Sequence, residues 1–533
     1  MDIDCTYIPY DNTGNFSDLV LDYLKAHPAV EPYYNYTPDA KGIAQAITDR
    51  SKYPVNRAVL THVLNKQYTH LNKHDKVIEN IARLADDNTF TICTAHQPNL
   101  MTGYLYFIYK IIHAIKLADE LNTQYTDKHF VPVYYMGSED NDLDELGTFR
   151  YNNHKYVWDA AGQTGAVGRM QTSSLKPLLD EVFKVLGPPG ENLDNLKEIL
   201  THAYLQHHTI GEATQYLVNE LFGRYGLIVL NPDEAELKKQ ILPILRDDLQ
   251  SHLAYALVSE NTEALEELYK VQAYPRFINL FYLRGNIRER IEKRNGRWIV
   301  LNTDIQWTEE DLLAELNEHP DRFSPNVILR GIFQESILPD VAFIGGGAEV
   351  AYWLELKPLF DNYKVFYPTI LLRQSVLWMT APYNKLRNQL GFGIEEIFRS
   401  EASLIRSYIG THSSNNWHTD EEATAIKNIL AQLKQKATNL DPTLQASADA
   451  AFAKMNHQLQ ILEKKMLRAE KRKMQDQLQR ITRLKDGISP RGILQERYEN
   501  FIGYYAAMGN TYFDVLYKYM EPLRNEFMVL AES

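Results

Sequence analysis

The stretch FTICTAHQPNLMTGYLYFIYKIIHAIKLADEL, residues 90–121, decides the fold that we predict for this chain. Residues 90–94 alternate β-forming and apolar side chains as a buried strand does. After a polar loop, apolar residues recur at helical spacing, which predicts a helix from about residue 102 to residue 121. The candidate binding residues of the loop and the helix start are His96, Gln97, Asn99, Thr102 and Gly103.

This strand-loop-helix order is typical of an open α/β sheet. In such a sheet the loop lies at the carboxyl end of a strand, where ligands bind. The N–H groups that open the helix favour an anion such as a phosphate or a carboxylate. We therefore expect the functional site of the protein at this loop.

An acidic loop follows a second apolar run. Residues 130–136 suit a buried parallel strand, and GSEDNDLDE at residues 137–145 comes directly after them. Its carboxylates could bind a divalent metal, hold an amino group or supply a general base. An N-cap at Ser138 followed by acidic residues in a first helical turn explains the loop equally well. The candidate catalytic residues here are Glu139, Asp140 and Asp142.

The same strand-loop-helix pattern recurs near residue 345. The apolar strand at residues 341–344 is followed by a glycine triplet, and Glu349 stands at the start of the next helix. Glycines let a backbone approach a ligand closely, and Glu349 could hold an ammonium group, although a tight turn capped by Glu349 is the plainer alternative. Glu349 is the fourth catalytic candidate. The binding candidates around this join are Asn326, Arg330, Gly345, Gly346, Gly347, Tyr352 and Trp353.

Several other segments extend the α/β pattern. Residues 1–88 read as mostly helical, and residues 226–232 as a further strand. Asn295-Gly296 predicts a hairpin between residues 287–293 and 297–301. Its arginines face either an anionic ligand or, more simply, solvent; they are Arg284, Arg288, Arg290, Arg294 and Arg297.

Past residue 374 the pattern becomes helical. Residues 421–439 and 443–485 read as two long helices separated by Asp441-Pro442, so they can fold back as an antiparallel hairpin. The second carries a 4-3-4-3 coiled-coil seam that slips after the basic run at residues 468–473, which indicates a stutter or a change of partner. A seam of this kind can also receive a second subunit.

We expect three parts of the chain. Residues 1–375 form a Rossmann-like core with N-terminal helices and inserted connective segments. Residues 376–495 form a helical coiled-coil domain, and residues 496–533 form a helical segment that packs back on the globular part. With 533 residues, of which 44% are hydrophobic, the chain can bury a large core.

Charge and cysteine content exclude several classes of protein. A net charge of -13 argues against broad nucleic-acid binding, which needs clustered cations. Cys5 and Cys93 are too few for a disulfide framework. We find neither an apolar run of membrane-spanning length nor a leader pattern. We therefore expect a cytoplasmic protein without nucleic-acid or membrane partners.

The ordered motifs together resemble the BshC family of cysteine ligases in bacillithiol biosynthesis. The resemblance rests on TAHQPNLMTGYLYFIYKIIHAIKLA, GSEDNDLDEL, NLFY with NGRW, HPDRFSPNVILR, VAFIGGGAEVAYWLELK and the final QERYEN. It implies a Rossmann-like parallel-sheet core, similar to class I synthetases and nucleotidyltransferases, and a homodimer through the coiled coil. The positions that match the family pattern are Gln97, Leu100, Thr102, Gly103, Tyr106, Glu139, Asp140, Asp142, Asp144, Asn326, Arg330, Gln334, Phe343, Ile344, Gly346, Glu349, Tyr352, Trp353 and Glu355.

The resemblance also implies the final step of the pathway, in which the carboxyl of L-cysteine is joined to the amine of glucosaminyl malate. Amide formation from a free carboxylate is uphill, so ATP with Mg²⁺ is the activating co-substrate that we expect. Residues 96–103 would hold phosphate or carboxylate, and the acidic loop would orient the amine or Mg²⁺. We predict no resident metal site.

One departure bears on the chemistry. The family pattern commonly has a histidine between the two aspartates of the acidic loop, where this chain has Asn141. An amide does not titrate in the useful range, which removes a proton-transfer role at this position. The competing hypotheses are a nucleotidyltransferase acting on another amino sugar and a non-enzymatic dimeric scaffold that recruits partners through its coiled coil.

Overall fold

The structure is a computed structural model that describes residues 2–413, 415 and 419–533, and it divides into two compact units. The larger unit comprises Cys5–Leu377 with Leu494–Leu530. The smaller unit comprises Trp378–Ile493 with short pieces of both termini, Met1–Asp4 and Ala531–Ser533. Nowhere in the described ranges does a helix have both the length and the apolar character needed to cross a membrane.

The strands alternate with helices through most of the larger unit. In chain order the strands are β1 (Ile3–Pro9), β2 (Thr89–His96), β3 (His129–Met136), β4 (Thr148–Tyr151), β5 (His154–Val157), β6 (Ile228–Leu230), β7 (Leu280–Arg284), β8 (Ile287–Arg294), β9 (Arg297–Val300), β10 (Gln306–Trp307), β11 (Phe323–Pro325), β12 (Asp340–Gly345), β13 (Thr369–Leu372), β14 (Val376–Met379) and β15 (Glu526–Glu532).

The α-helices are α1 (Asp18–Leu24), α2 (Ala40–Arg50), α3 (Arg57–Gln67), α4 (Asp75–Arg83), α5 (Leu105–Gln124), α6 (Leu143–Leu146), α7 (Lys176–Val185), α8 (Glu191–Gln206), α9 (Ile210–Phe222), α10 (Ala235–Lys238), α11 (Leu242–Gln250), α12 (Leu253–Glu266), α13 (Glu309–Glu318), α14 (Val327–Ile337), α15 (Gly347–Tyr363), α16 (Ala381–Leu390), α17 (Glu401–His412), α18 (Asp420–Leu440), α19 (Leu444–Lys473), α20 (Gln475–Ile488), α21 (Ile502–Met508) and α22 (Thr511–Tyr519).

A five-stranded parallel sheet organises the larger unit. Its order is β13-β12-β2-β3-β6, and every neighbouring pair is parallel. The chain leaves β2 toward β3 on one side, while β12 pairs with β2 on the other. Strand order therefore reverses between β2 and β12, and in open α/β sheets the crevice outside such a reversal is where ligands bind. The predicted Rossmann-like parallel sheet is confirmed.

The core of the larger unit forms where α5 covers this sheet. The helix buries apolar residues on nearly all sides, because most of its residues from Leu105 to Ala118 are apolar. One cluster of buried residues joins strand residues Phe90, Ile92 and Phe130 to Ala114 and Leu117 of α5. Burying such side chains supplies the main favourable term in folding, so this packing holds α5 against the sheet.

The predicted hairpin is confirmed. Strands β8 and β9 pair antiparallel around Asn295-Gly296, with Arg294 opposite Arg297, inside a second sheet of order β10-β9-β8-β7-β11. Asn295 and Gly296 both have positive φ, 51° and 77°, as a type I′ turn demands.

In the smaller unit α18 and α19 form the predicted antiparallel helical hairpin, and Lys434 Nζ contacts Asp449 Oδ1 across it at 2.6 Å. The second helix is broken at Met474, whose φ and ψ of -110° and 23° end α19. This break falls where the coiled-coil seam slips. Beyond it, α20 packs on α16 and α17, so the slip marks a change of partner.

Residues 2–88 are mostly helical as predicted, with one strand at residues 3–9. Two predicted boundaries are wrong. Helix α5 begins at Leu105 rather than near residue 102, because Met101 and Thr102 have positive φ of 51° and 62° and form a separate turn. The end of the predicted C-terminal helical segment is also a strand: β15 lies between β1 and β14, where its apolar run is buried.

Candidate functional site

A cavity of about 390 Å³ opens at the carboxyl ends of β2, β3 and β12. It lies at the reversal of strand order, and all its lining residues belong to the larger unit. The sequence-predicted residues that line it are His96, Gln97, Glu139, Asp140, Asn326, Arg330, Gly346, Gly347, Glu349 and Tyr352. The three loops expected to converge therefore do so.

The other predicted residues lie elsewhere. Asp142 caps α6, since its Oδ1 accepts from Glu145 N at 3.0 Å, so the capping interpretation holds for Asp142 rather than for Ser138. Trp353 is fully buried and packs on Phe343 with ring centroids 4.7 Å apart. The remaining residues outside the cavity lining are Asn99, Thr102, Gly103 and Gly345.

The turn at residues 99–103 is held by protein rather than open to a ligand. Asn500 Nδ2 donates to the carbonyl oxygens of Met101, at 2.8 Å, and of Gly103. The first N–H of α5, at Leu105, donates to the Glu499 carbonyl at 2.9 Å. The anion expected at this helix start therefore meets a backbone whose groups are already used.

An ion pair between Lys110 and Glu349 crosses the cavity wall. Lys110 lies in the second turn of α5, and its Nζ donates to Glu349 Oε2 and to the Ala95 carbonyl, the latter at 2.9 Å. Burial lowers the pKa of Lys110, and the Glu349 carboxylate counteracts part of that shift. The pair fixes the first turn of α15 against the end of β2.

Glu139 belongs to a second, more deeply buried charge network. Lys238 Nζ donates to Glu139 Oε1 and lies 3.4 Å from Asp233 Oδ1. Arg169 donates to both oxygens of Asp233 at 2.6 Å. Burial raises the pKa of Glu139, and Lys238 opposes this; burial acts to raise the pKa of Asp233 too, but Lys238 and Arg169 outweigh it and lower that pKa.

Asp140 connects the acidic loop to the hairpin and to β2. Its Oδ2 accepts from Gln97 Nε2 at 3.1 Å, and its Oδ1 lies 3.9 Å from Arg288 Nη1. Arg288 also donates to Asn141 Oδ1 at 2.9 Å and stacks over Phe281, with 3.9 Å from Cζ to the ring centroid. Of the five hairpin arginines, Arg288 is the one in the cavity lining, and Asn141 serves there as a hydrogen-bond acceptor.

Arg330 and Tyr352 complete the wall beside Glu349. Arg330 Nη2 donates to the Tyr352 hydroxyl, and Nη1 donates to Gln334 Oε1 at 3.3 Å. Burial raises the pKa of Tyr352 to about 12, so its hydroxyl stays protonated near neutral pH. The two side chains therefore present donors and a positive charge to the cavity.

His96 is a neutral ring in this site. Its Nε2 is buried without a hydrogen-bond partner, and the ring packs on Tyr106 and Phe107 with both centroid distances 5.3 Å. Burial lowers the pKa of His96 well below its ordinary value, and the charges of Lys110 and Arg373 act in the same direction. The ring is thus suited to pack or to accept a hydrogen bond.

The cations were largely missed by sequence reasoning. Lys110 is the first charged residue of α5 and stands among apolar residues, and that position was the available signal. Arg373 forms a buried bidentate pair with Glu496 at 2.6 and 2.8 Å, while Arg497 lies with its Cζ 6.0 Å from the Tyr106 ring centroid. Nothing in the local sequence indicated that either would line the cavity.

The donor set does not resemble a dedicated metal centre. Among the described residues, no three His, Cys, Asp or Glu side chains lie together in a way that could hold an ion. Asp140 and Glu145 both line the cavity and could supply single oxygens to a Mg²⁺ held mainly by phosphate and water. Burial raises the pKa of Glu145, and Asp142 and Asp140 add to that effect.

Comparison with known proteins gives consistent matches over the whole chain. The descriptions "Bacillithiol biosynthesis BshC, N-terminal Rossmann-like domain" and "Bacillithiol biosynthesis BshC, C-terminal coiled-coil domain" match residues 1–374 and 376–532. A Flavobacterium johnsoniae protein named "Putative cysteine ligase BshC" is 38% identical over 535 residues, 100% of both chains. Proteins of the same name are 38% identical in Christiangramia forsetii, over 98% of both chains, and 26% identical in Bacillus cereus, over 93% of this chain and 94% of that one.

Proposed function

Since the chain belongs to the BshC family of bacillithiol biosynthesis, we propose that it is a cysteine ligase that joins the carboxyl of L-cysteine to the amine of glucosaminyl malate. The observation that carries this proposal is the convergence of opposite charges in one cavity at the reversal of strand order. Its cations are Lys110, Arg288, Arg330, Arg373 and Arg497, and its carboxylates are Glu139, Asp140, Glu145 and Glu349. Both substrates carry carboxylates and an amine, so this lining complements them.

Activation of the cysteine carboxyl is the energetic requirement of the reaction. A free carboxylate does not condense with an amine in water, so a carboxyl oxygen must first be converted into a leaving group. We propose ATP as the activating co-substrate, giving a cysteinyl adenylate or a cysteinyl phosphate. Arg288 and Arg330 are suited to hold its phosphates, since arginine matches phosphate geometry.

The carboxylates of the cavity differ in how far they are already bound to other protein groups. Glu139 is bound to the buried Lys238, so we assign it to shaping the cavity wall and to fixing the acidic loop. Asp140 and Glu349 keep accessible surface and are suited to meet the substrate amine. A fixed carboxylate beside an ammonium group both orients the amine and can accept its proton.

A reconstituted reaction tests the proposal. Purified protein is incubated with cysteine, glucosaminyl malate and ATP, and bacillithiol is sought by mass. Product is expected with the complete mixture and is not expected without ATP. Product in the absence of ATP would overturn the activation step alone, whereas ATP consumption with an amino sugar but without cysteine would favour a nucleotidyltransferase.

Matched variants locate the reaction. Arg330→Met removes a cation of α14 that lines the cavity, while Arg290→Met removes a cation of hairpin strand β8 that does not line it. The first change is expected to abolish most product formation, and the second is expected to leave it near wild type. Equal losses of product formation in the two variants would show that the reaction does not take place in this cavity.

A second copy of the chain is the partner that we propose for the helical hairpin. Of the described residues, none in α18 and only Glu470 in α19 is buried. Ile429, Leu433, Met455 and Leu462 are 56%, 51%, 50% and 52% exposed. Light scattering should give a dimer for the wild type and a monomer for Leu433→Asp with Met455→Asp; a monomeric wild type would contradict the proposal.

A further inference from the structure

Glu349 has one oxygen engaged by the protein and one available. Lys110 Nζ and Gly346 N both donate to Oε2, the latter at 2.8 Å. In the part of the chain that the structure describes, no donor reaches Oε1, and this atom is not sealed from the cavity that Glu349 lines. The carboxylate is thus held at one oxygen, while the other can accept a hydrogen bond from a ligand.

The groups that face Glu349 are cations and hydroxyls. Besides Lys110 from α5, the charge of Glu349 acts on Arg330 of α14 and on the Tyr352 and Tyr106 hydroxyls. Arg373, after β13, approaches the Gly346 position, with its Nε 3.8 Å from where a Cβ would stand. The protein groups nearest to Glu349 are therefore donors, and the ligand group that complements its open oxygen is a cation.

The position of Lys110 explains how this carboxylate keeps its orientation. The side chain of Lys110 is 3% exposed and reaches from the second turn of α5 to the Ala95 carbonyl at the end of β2. It therefore ties Glu349 to the edge of the sheet. Without this ion pair the glutamate side chain would sample several rotamers, and its carboxylate would no longer be held in the geometry that catalysis needs.

We infer that Lys110 is a positioning residue that holds Glu349 so that Oε1 accepts a proton from the amine that attacks the activated cysteine carboxyl. The inference rests on the proposed function and adds an assignment to it. Lys110 acts through Glu349, which is the group that touches the substrate.

The amine enters as an ammonium ion with three protons on nitrogen, and the amide keeps one. Oε1 takes the first proton, which leaves a lone pair on nitrogen that forms the new bond to the carboxyl carbon. The bond from that carbon to the activating phosphate oxygen then breaks, with the electron pair leaving on oxygen, and the second proton passes from nitrogen to solvent. Glu349 returns its proton to solvent afterwards.

The test compares Lys110→Met with Lys110→Arg, and uses Lys116→Met as a control on the same helix. Lys116 pairs with Glu120 at 3.6 Å, away from the cavity. For Lys110→Met we expect kcat to fall on the order of a hundredfold, the low end of a general-base contribution, with KM for cysteine little changed. The acidic limb of the pH profile of kcat should move to higher pH, because a carboxylate that loses a cation binds protons more readily.

Lys110→Arg should keep the acidic limb near its wild-type position, and Lys116→Met should match the wild type. In the double variant Lys110→Met with Glu349→Gln, we expect no loss beyond that of Glu349→Gln alone, since Lys110 acts only through Glu349. An additive double variant, or an unmoved acidic limb in a folded Lys110→Met protein, would overturn the inference. Absence of bacillithiol with the wild-type protein would instead overturn the proposed function.

Discussion

Two joins of the parallel sheet share a strand-loop-helix order but meet different surroundings. At the β2–α5 join, residues 97–104, the C-terminal segment supplies Asn500 and the Glu499 carbonyl, which use the backbone of the turn and the helix start. At the β12–α15 join, residues 345–347, two glycines line the cavity and Glu349 keeps one oxygen available. At the first join, protein groups already bind the backbone beyond the first residues of the loop; we call this join closed. The second join faces the cavity, and we call it open.

The difference shows that an anion-friendly helix start does not by itself locate a site. The N–H groups at the start of α5 find protein acceptors, so that join contributes mainly to stability. The chemistry at the edge of the sheet comes from side chains that reach it from beyond the turn itself, above all Lys110 from the second turn of α5. We expect mutations at the open join to reduce turnover, and mutations at the closed join to reduce stability.

The largest effect is expected at the open join. Glu349→Gln keeps the size of the side chain and removes its charge, so it should lower kcat/KM for the amine substrate on the order of a thousandfold. The melting temperature should also fall, because Gln can still accept from Gly346 N but leaves the buried Lys110 ammonium without its counter-charge; the protein is expected to stay folded at the assay temperature. Steady-state kinetics and a thermal melt on the same preparation check both statements, and a variant with wild-type turnover would return Glu349 to helix capping.

At the closed join we expect a loss of stability instead. Asn500→Ala leaves the carbonyls of Met101 and Gly103 without their donor in a buried place, which should cost about 1–3 kcal/mol of unfolding free energy. Urea unfolding measures this loss. Turnover, measured 20 °C below the melting temperature of the variant, should stay within a few fold of wild type. A loss of turnover as large as that of Glu349→Gln would show that the two joins do not differ in function.

An effect that is smaller for each pH unit, and is spread over several, is expected from the neighbour of Asn500. Burial raises the pKa of the Glu499 side chain to about 7, above the ordinary value of 4.5 for a glutamate. The stability that this group contributes is therefore complete below about pH 4.5 and is lost as pH rises through 7, at no more than about 1.4 kcal/mol per pH unit.

Glu499→Gln should remove that dependence. Urea unfolding of the wild type and the variant at pH 5, 6, 7 and 8 should show a difference that grows in favour of the variant with rising pH. Asp248, whose pKa burial raises to about 7, is left intact in both proteins, so its contribution cancels in the comparison. A difference that is constant with pH would show that Glu499 does not titrate in this window.

The smallest effect is expected at the acidic loop. Asn141→His replaces the acceptor of the 2.9 Å hydrogen bond from Arg288 with the residue common in the family pattern. Loss of a partly exposed hydrogen bond of about 0.5–1 kcal/mol should raise KM by roughly two- to fivefold. The increase should be larger below pH 6.5, where a protonated histidine repels Arg288; an unchanged KM at all pH values would remove Asn141 from the site.

The sequence predicted the parts of this molecule that depend on periodicity. The alternation at residues 90–94, the helical spacing of α5 and the Asn295-Gly296 turn each report local geometry, and the structure has all three elements. The slip in the coiled-coil seam likewise falls at the break at Met474. β15 was missed because its short apolar run is compatible with a helix as well as with a strand.

The convergence of the three loops also followed from the sequence, because the carboxyl ends of parallel strands share one edge. The ion pairs between side chains at that edge did not follow from the sequence. Lys110 and Glu349 stand 239 positions apart, and Arg373 and Glu496 stand 123 apart. No local sequence pattern indicates partners so far apart. The closed state of the β2–α5 join and the available oxygen of Glu349 could therefore be identified only from the structure.

The most direct test of amide formation through an activated carboxyl follows the oxygen atoms of cysteine. Wild-type protein is supplied with glucosaminyl malate, ATP and cysteine labelled with ¹⁸O in both carboxyl oxygens, and the products are weighed by mass spectrometry. The account predicts bacillithiol with one ¹⁸O in its new amide and the other ¹⁸O in AMP or in inorganic phosphate. Bacillithiol formed with the second ¹⁸O released into water, and with none in a phosphate product, would contradict it.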